Sequence, residues 1–410
     1  MTAQASYDII VVGAGLAGMF AGALAARKGA HTLVVARGLG GTHVGPGVVE
    51  VWGYDGVRRL AGSPEDELGR LESKHPLALA GRLALREAVS EFQKMCAAAA
   101  YPLAGSLDKN FFLPTAMGAV RPTCLAPESF VAGEVRQSGE LTLARLPGFR
   151  DFFADLAAAN LSAAGYSARA ISLDLPDTPA RRDSFATDLA RLFDSPQYRE
   201  KVAAQWRDSL KGVTRLGLPA ILGLRQAAAA RRDVQEKLGV ELFEIPILPP
   251  SVPGIRLFDA LKRAIEDSGG RVTIGPRATG WGDRQQISGI GAETAGGVRF
   301  YAARHIILAT GGFRHGGLDA PEPGLVRETV FELPVATGEQ WFAPLYWEGH
   351  PYARFGVRVN EKMQPLNSNG KVIYENVRVV GGLLAGADRD REGSREGIDL
   401  ATAYAAISNL

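Results

Sequence analysis

The sequence predicts an α/β protein in which a domain built on a parallel sheet is split along the chain and carries an inserted α+β cap domain. Three observations carry this. An apolar run of strand length, Tyr7 to Val12, opens directly into Gly13-Ala14-Gly15-Leu16-Ala17-Gly18 and an Ala-rich segment. Two later apolar runs, His305 to Leu308 and Val377 to Val380, also lead into glycine pairs, at Gly311-Gly312 and Gly381-Gly382. The long block between the first and second of these carries no chemical motif of its own, and 410 residues are too many for one ordinary core.

The first run is uniformly apolar, as a strand buried on both faces of a parallel sheet requires. Leu16 to Lys28 reads as a helix stopped by Gly29, and His31 to Ala36 as a second strand, completing a Rossmann-like βαβ unit. A glycine-rich loop follows over 38–56. Residues 65–100 have helical periodicity, and 101–140, with four prolines, read as irregular. Helices are expected over 149–164, 184–215 and 225–238, and strands over 169–175, 218–222 and 242–248. After Pro249-Pro250 the chain changes character. A helix over 255–267 ends at Gly269-Gly270, a strand covers 271–274, and a glycine-rich meander covers 280–300. The last elements are the strand at 377–380 and a helix over 398–407. The split domain is thus expected at 1–56, 254–312 and 376–410, and the cap at 57–253 and 313–375.

Composition excludes several classes. A net charge of +2 with no Lys/Arg run gives no reason to expect a nucleic-acid partner. Two distant cysteines, Cys96 and Cys124, cannot supply the roughly four ligands of an iron–sulfur cluster, and their scarcity fits a reducing cytosol or a compartment where thiols are simply not used. No run of about 18 apolar residues spans a membrane, and the first apolar run reads as a strand, not a signal peptide. A cytoplasmic protein is expected, sitting at the inner face of a membrane only through partners.

Gly13–Gly18 is a dinucleotide fingerprint in its proper context, strand before and helix after. Its glycines permit a tight turn, close approach of the backbone to a pyrophosphate, and close helix–strand packing, while the helix N-terminus offers free N–H groups. The second strand of such a unit usually ends in a carboxylate for the ribose, but here it ends in Ala36, followed by Arg37-Gly38. Ala309-Thr310-Gly311-Gly312 resembles the second glycine motif of flavoproteins, and the strand with Gly382 resembles their third flavin segment. The cofactor is therefore expected to be a noncovalent flavin, FAD or FMN. Its candidate contacts are Gly13, Ala14, Gly15, Leu16, Ala17, Gly18, Ala36, Arg37, Gly38, Ala278, Thr310, Gly311, Gly312 and Gly382.

Nearly the whole chain resembles the B-subunit family of bacterial anaerobic glycerol-3-phosphate dehydrogenase. The carrying segments include Gly13–Gly18, Ala36-Arg37-Gly38, Thr42-His43, Lys74-His75-Pro76, Ala119-Val120-Arg121-Pro122, the string from Leu248 to Leu257, Ala309–Gly312, Val326-Arg327-Glu328 and Gly381-Gly382. The resemblance implies flavin-dependent oxidation of sn-glycerol 3-phosphate to dihydroxyacetone phosphate. It also implies a three-part complex, in which a flavin A-subunit and an iron–sulfur C-subunit join this one and electrons pass to the quinone pool. The family's C-terminal segment is richer in glycine where this chain has Arg389 to Glu396. Alternatives left open are a non-catalytic electron relay or scaffold, and a succinate- or fumarate-type flavoenzyme.

Oxidising a phosphorylated alcohol needs a base and cations. His43 and His75 match the family pattern and are the candidate bases. Arg121, Arg256 and Arg327 are the candidate phosphate ligands, since a guanidinium presents a fork of donors to phosphate. His315 and His350 follow the second glycine motif and can border the same cleft.

Overall fold

A computed structural model describes residues 6–177, 184–282, 286–322 and 324–410. The chain begins with β1 (Ser6–Val12), α1 (Leu16–Arg27) and β2 (Thr32–Ala36), the βαβ unit expected from the sequence. The next long helix is α2 (Arg82–Ala98). The large sheet is then completed after α3 (Val252–Glu266) by β3 (Arg271–Ile274), β4 (Arg277–Gly282), β5 (Ile287–Thr294), β6 (Gly297–Leu308) and β7 (Val377–Val379), and the chain closes with α4 (Arg395–Ser408). The order across the sheet is β3-β2-β1-β6-β5-β4, with β7 beside the C-terminal end of β6. β3, β2, β1, β6 and β7 run parallel, and β5 runs antiparallel to both of its neighbours, β6 and β4. Residues 283–285 of the expected meander lie outside the described residues.

Every residue of β2 is buried, which explains its unbroken apolar sequence. α1 is buried from Leu16 to Ala26 because the sheet covers one side and α3 and α4 cover others. The parallel strands all end at one edge of the sheet, and the glycine turns after β1 and β6 meet there: the N–H of Ala309 bonds the carbonyl of Val12. The site therefore forms beyond the carboxyl ends of parallel strands.

A second buried cluster runs from Ala116 to Val252. It packs around a four-stranded parallel sheet ordered Ala168–Ser172, Leu141–Arg145, Arg215–Pro219, Glu241–Ile245. The Leu141–Arg145 strand went unread, and the strand expected at 218–222 begins earlier, at Arg215. The stretch 101–140 is not irregular. It forms short two-stranded ribbons, in which Pro114, Pro122 and Pro127 occupy edge positions that need no amide hydrogen. The helix expected over 65–100 is broken at Pro76 and at Gly81 (φ +84°), and that over 184–215 restarts at Ser195, whose hydroxyl caps the helix Pro196–Trp206. α2 and the residues Leu318, Leu333, Val357 and Met363 are buried with the large sheet. No helix among the described residues is long and apolar enough to cross a membrane.

Candidate functional site

The turn after β1 is held by close contact. A Cβ on Gly13 (φ +119°) would lie 2.2 Å from the Ala309 carbonyl oxygen, and one on Gly18 2.0 Å from that of Gly13. Gly15 differs: a Cβ there would meet nothing within 4 Å. Gly15 is the N-cap of α1 and makes no side-chain cap bond, so the first N–H groups of the helix face a cavity of about 1220 Å³. That exceeds the roughly 300–1,000 Å³ of ordinary small-molecule clefts. It suits a ligand of dinucleotide size whose phosphates rest on bare backbone.

Gly13, Ala14, Gly15, Leu16, Ala17, Ala36, Arg37, Gly38, Ala278, Thr310, Gly311 and Gly382, all chosen from sequence, line this one cavity. Gly18 and Gly312 do not. Gly18 is needed for packing against Gly13, and a Cβ on Gly312 would approach the Gly382 oxygen at 3.2 Å.

The candidate catalytic residues are placed elsewhere. His43 lies between two lining residues, Thr42 and Val44, but its ring meets Phe258 of α3 edge-on at 5.7 Å. His75 is 3% exposed. Its Nδ1 accepts the Leu77 N–H at 3.1 Å, capping the helix Pro76–Ala80, and its Nε2 bonds Glu392 at 3.2 Å. Both ring nitrogens are thus committed to structure. Arg121 grips Glu50 through two bonds of 2.6 Å. Arg256 is 6% exposed and bonds Glu244 at 2.8 and 3.0 Å and the Gly223 carbonyl at 2.8 Å. Arg327 pairs with Asp319 at 3.0 Å on an outer hairpin. Each arginine found a carboxylate distant in sequence or on a paired strand, and none of the five residues lines the cavity.

The charged groups that do line it come largely from segments with no motif. Arg389, Arg395, Glu396 and Asp399, at and just before the start of α4, form one end. Arg314 and His315 face them from the turn after the second glycine motif, and Arg37 and Arg277 line the wall. Arg389 bonds Asp399 at 2.5 Å, and Arg314 pairs with Asp390 at 2.9 Å. Arg389 Nη1 lies only 2.1 Å from where a Gly382 Cβ would be, so the missing side chain makes room for the guanidinium. Loss of hydration lowers the His315 pKa; Asp399 opposes this, and Arg389, Arg314 and Arg395 reinforce it. Burial pushes Glu396 up to about 7; Arg395 opposes the rise, and Glu50 and Asp399 add to it. Of these residues, the sequence pointed only to Arg37, to His315 as a cleft histidine, and to 389–396 as a departure from glycine.

The cavity suits a flavin dinucleotide at the turn. Glycines form the cradle, Gly15 leaves open space, and Thr310 carries a buried hydroxyl with no partner among the described residues. Where a ribose carboxylate usually stands, the lining presents Ala36 and Arg37.

Residues 8–394 match the FAD binding domain family. The probable anaerobic glycerol-3-phosphate dehydrogenase B-subunit of Halobacterium salinarum is 32% identical over 97% of this chain and 96% of its own length. The anaerobic glycerol-3-phosphate dehydrogenase B-subunit of Pectobacterium carotovorum is 28% identical over the same shares. Among solved structures, a 3-ketosteroid delta1-dehydrogenase from Sterolibacterium denitrificans aligns over 98% of this chain and 99% of its own, at 12% identity and a TM-score of 0.45. The chain belongs to the FAD-binding domain family and, within it, to the B-subunit family of anaerobic glycerol-3-phosphate dehydrogenase: it is part of a flavin-dependent oxidoreductase.

Proposed function

We propose that this chain oxidises sn-glycerol 3-phosphate to dihydroxyacetone phosphate, as the B-subunit of a quinone-linked complex with a flavin A-subunit and an iron–sulfur C-subunit. The observation that carries this is a single cavity joining the bare-backbone turn at Gly13–Gly18 to an end rich in arginine and carboxylate. Bound flavin supplies a two-electron acceptor able to release electrons one at a time. The chain's own part is to hold the pyrophosphate on the α1 N-terminus, to attract a substrate phosphate with the guanidinium groups of Arg314, Arg389 and Arg395, and to accept a proton. The names of the relatives support the substrate. The absence of a four-cysteine set supports the need for an iron–sulfur partner, through which the chain would sit at the cytoplasmic face of the membrane.

For the domains, we propose that 1–56, 254–312 and 376–410 hold the flavin and that 57–253 and 313–375 cover it. The second cap piece supplies Arg314 and His315 to the lining, whereas the first supplies no lining residue.

Anaerobic mixing of the purified, flavin-loaded chain with sn-glycerol 3-phosphate tests this reading, with succinate as control. Rapid bleaching of the flavin by the phosphate ester alone is the expected result. A yellow protein that bleaches only once its partner subunits are added would make this chain an electron relay. Bleaching by succinate would replace the substrate class.

A further inference from the structure

We propose that Glu396 is the base that takes the substrate's hydroxyl proton in this cavity. The inference rests on reading the cavity as an alcohol-oxidising flavin site, and it deepens that reading by naming a residue the sequence did not single out.

The argument is one of elimination among groups that line the same space. Three carboxyl groups among the described residues do so: Asp319, Glu396 and Asp399. Asp319 is engaged by Arg327 at 3.0 Å, and Asp399 by Arg389 at 2.5 Å. Glu396 is paired more loosely, with Arg395 alone among the described residues. One oxygen accepts the Glu50 N–H at 3.2 Å, and the other lies 3.5 Å from Arg395, beyond a good charge-assisted bond. Glu50, the neighbouring carboxylate, is held by Arg121 through two short bonds. The groups facing Glu396 are thus Arg395 beside it, Asp399 one turn on, and Glu50 with Arg121 from the facing segments. Asp319, Asp399 and Glu50 are each paired with an arginine, and Glu396, beside Glu50 and Asp399, is left to bind and release a proton. His315 also lines the cavity, but burial, reinforced by the guanidinium groups around it, makes it a poor proton acceptor.

In the step so assigned, the hydroxyl O–H bond breaks and its proton passes to the Glu396 carboxylate. The C–O bond becomes a carbonyl as the carbon's hydrogen leaves with its electron pair, for which a bound flavin would be the acceptor. The alcohol is oxidised by two electrons, which a flavin held at the Gly13–Gly18 turn would accept, and the proton is retained on Glu396.

The test uses the full flavin-loaded chain and its E396Q variant, with E396D as a second variant should E396Q fail to fold. First, without substrate, the visible spectrum of the bound oxidised flavin is titrated with pH. A transition near 7 is expected in the parent, lost in E396Q and displaced in E396D. Second, the limiting rate of flavin reduction by sn-glycerol 3-phosphate is followed across pH. E396Q should lose about 10²- to 10⁴-fold with KM little changed, and lose the fall in rate on the acid side; E396D should retain that fall at a lower rate. A transition that survives in E396Q, or an E396Q rate within a few-fold of the parent at every pH, overturns the assignment. If the transition vanishes in E396Q but sn-glycerol 3-phosphate fails to bleach even the parent, the substrate reading falls. Glu396 then stands as the titrating base of the cavity, to be tried with other secondary alcohols.

Discussion

The two ends of the cavity are built on opposite principles. At the Gly13–Gly18 end the protein offers backbone: N–H groups at the start of α1, and glycines whose missing side chains let chain segments touch. At the other end it offers side chains, with Arg389, Arg395, Glu396, Asp399, Arg314 and His315 drawn from two segments about 75 residues apart. The first end can be read from spacing because a turn against a helix demands glycine at fixed positions. The second has no fixed spacing, because a long charged side chain can reach the same point from many backbone positions. Binding of the cofactor was therefore legible, and its chemistry was not.

The sharpest way to break the contrast is to add atoms at the backbone end. Gly18→Val places a side chain against the Gly13 carbonyl, and Gly13→Ala does the same against Ala309 in a conformation that disfavours any Cβ. Each is expected to cost about 3 kcal/mol or more and to abolish flavin retention, as read from urea midpoints and visible absorbance.

Next in size is an arginine that resembled a phosphate ligand. Glu244→Gln leaves the Arg256 guanidinium buried without its counter-charge and is expected to cost about 3–5 kcal/mol in thermal or urea unfolding. Replacing both partners by apolar groups should cost less than either single change. A cost near zero for Glu244→Gln would mean that Arg256 is not held as described.

That pair also shows where sequence reasoning stopped. The string around Arg256 is distinctive, and a conspicuous arginine at the start of a helix suggested phosphate. The carboxylate that claims it, Glu244, belongs to a buried strand of the inserted unit, and nothing local in either segment announces the pairing. His75 is similar: Pro76 marks a helix start, and the imidazole serves as the cap, with Glu392 on its other side. The β1–α1–β2 unit was legible because nearly all of it is buried, and its sequence is apolar throughout as a result. Leu141–Arg145 was not, because five residues that include a threonine and an arginine carry too little periodicity to stand apart from a proline-rich neighbourhood.

A smaller effect sharpens the contrast from the side-chain end. Glu396 has a folded pKa above that of an unfolded glutamate, so the native state binds the proton more tightly. The stabilisation is complete below the unfolded value of about 4.3 and is lost as pH rises towards 7. Above 7 the buried carboxylate is a net cost. The flavin-free Glu396→Gln variant should therefore be more stable than the parent at about pH 8, by ~1–3 kcal/mol, with the gap shrinking towards about pH 5. Melting curves at the two pH values check this, and a variant less stable at the higher pH would contradict it.

The smallest effect is expected at Arg327. Its pair with Asp319 is half exposed on both sides, so Arg327→Ala should change stability by about 1 kcal/mol or less and leave flavin content unaltered.

The most direct test sets the two ends against each other in one experiment: flavin content and the rate of anaerobic flavin reduction by sn-glycerol 3-phosphate, for Gly15→Val beside Glu396→Gln. A Cβ at Gly15 meets nothing within 4 Å and faces the cavity, so the valine variant should fold normally and be colourless. Glu396→Gln should be as yellow as the parent and reduced at least about 100-fold more slowly. A Gly15→Val protein that keeps its flavin, or a Glu396→Gln protein reduced at the parent rate, would contradict the division of labour between the two ends.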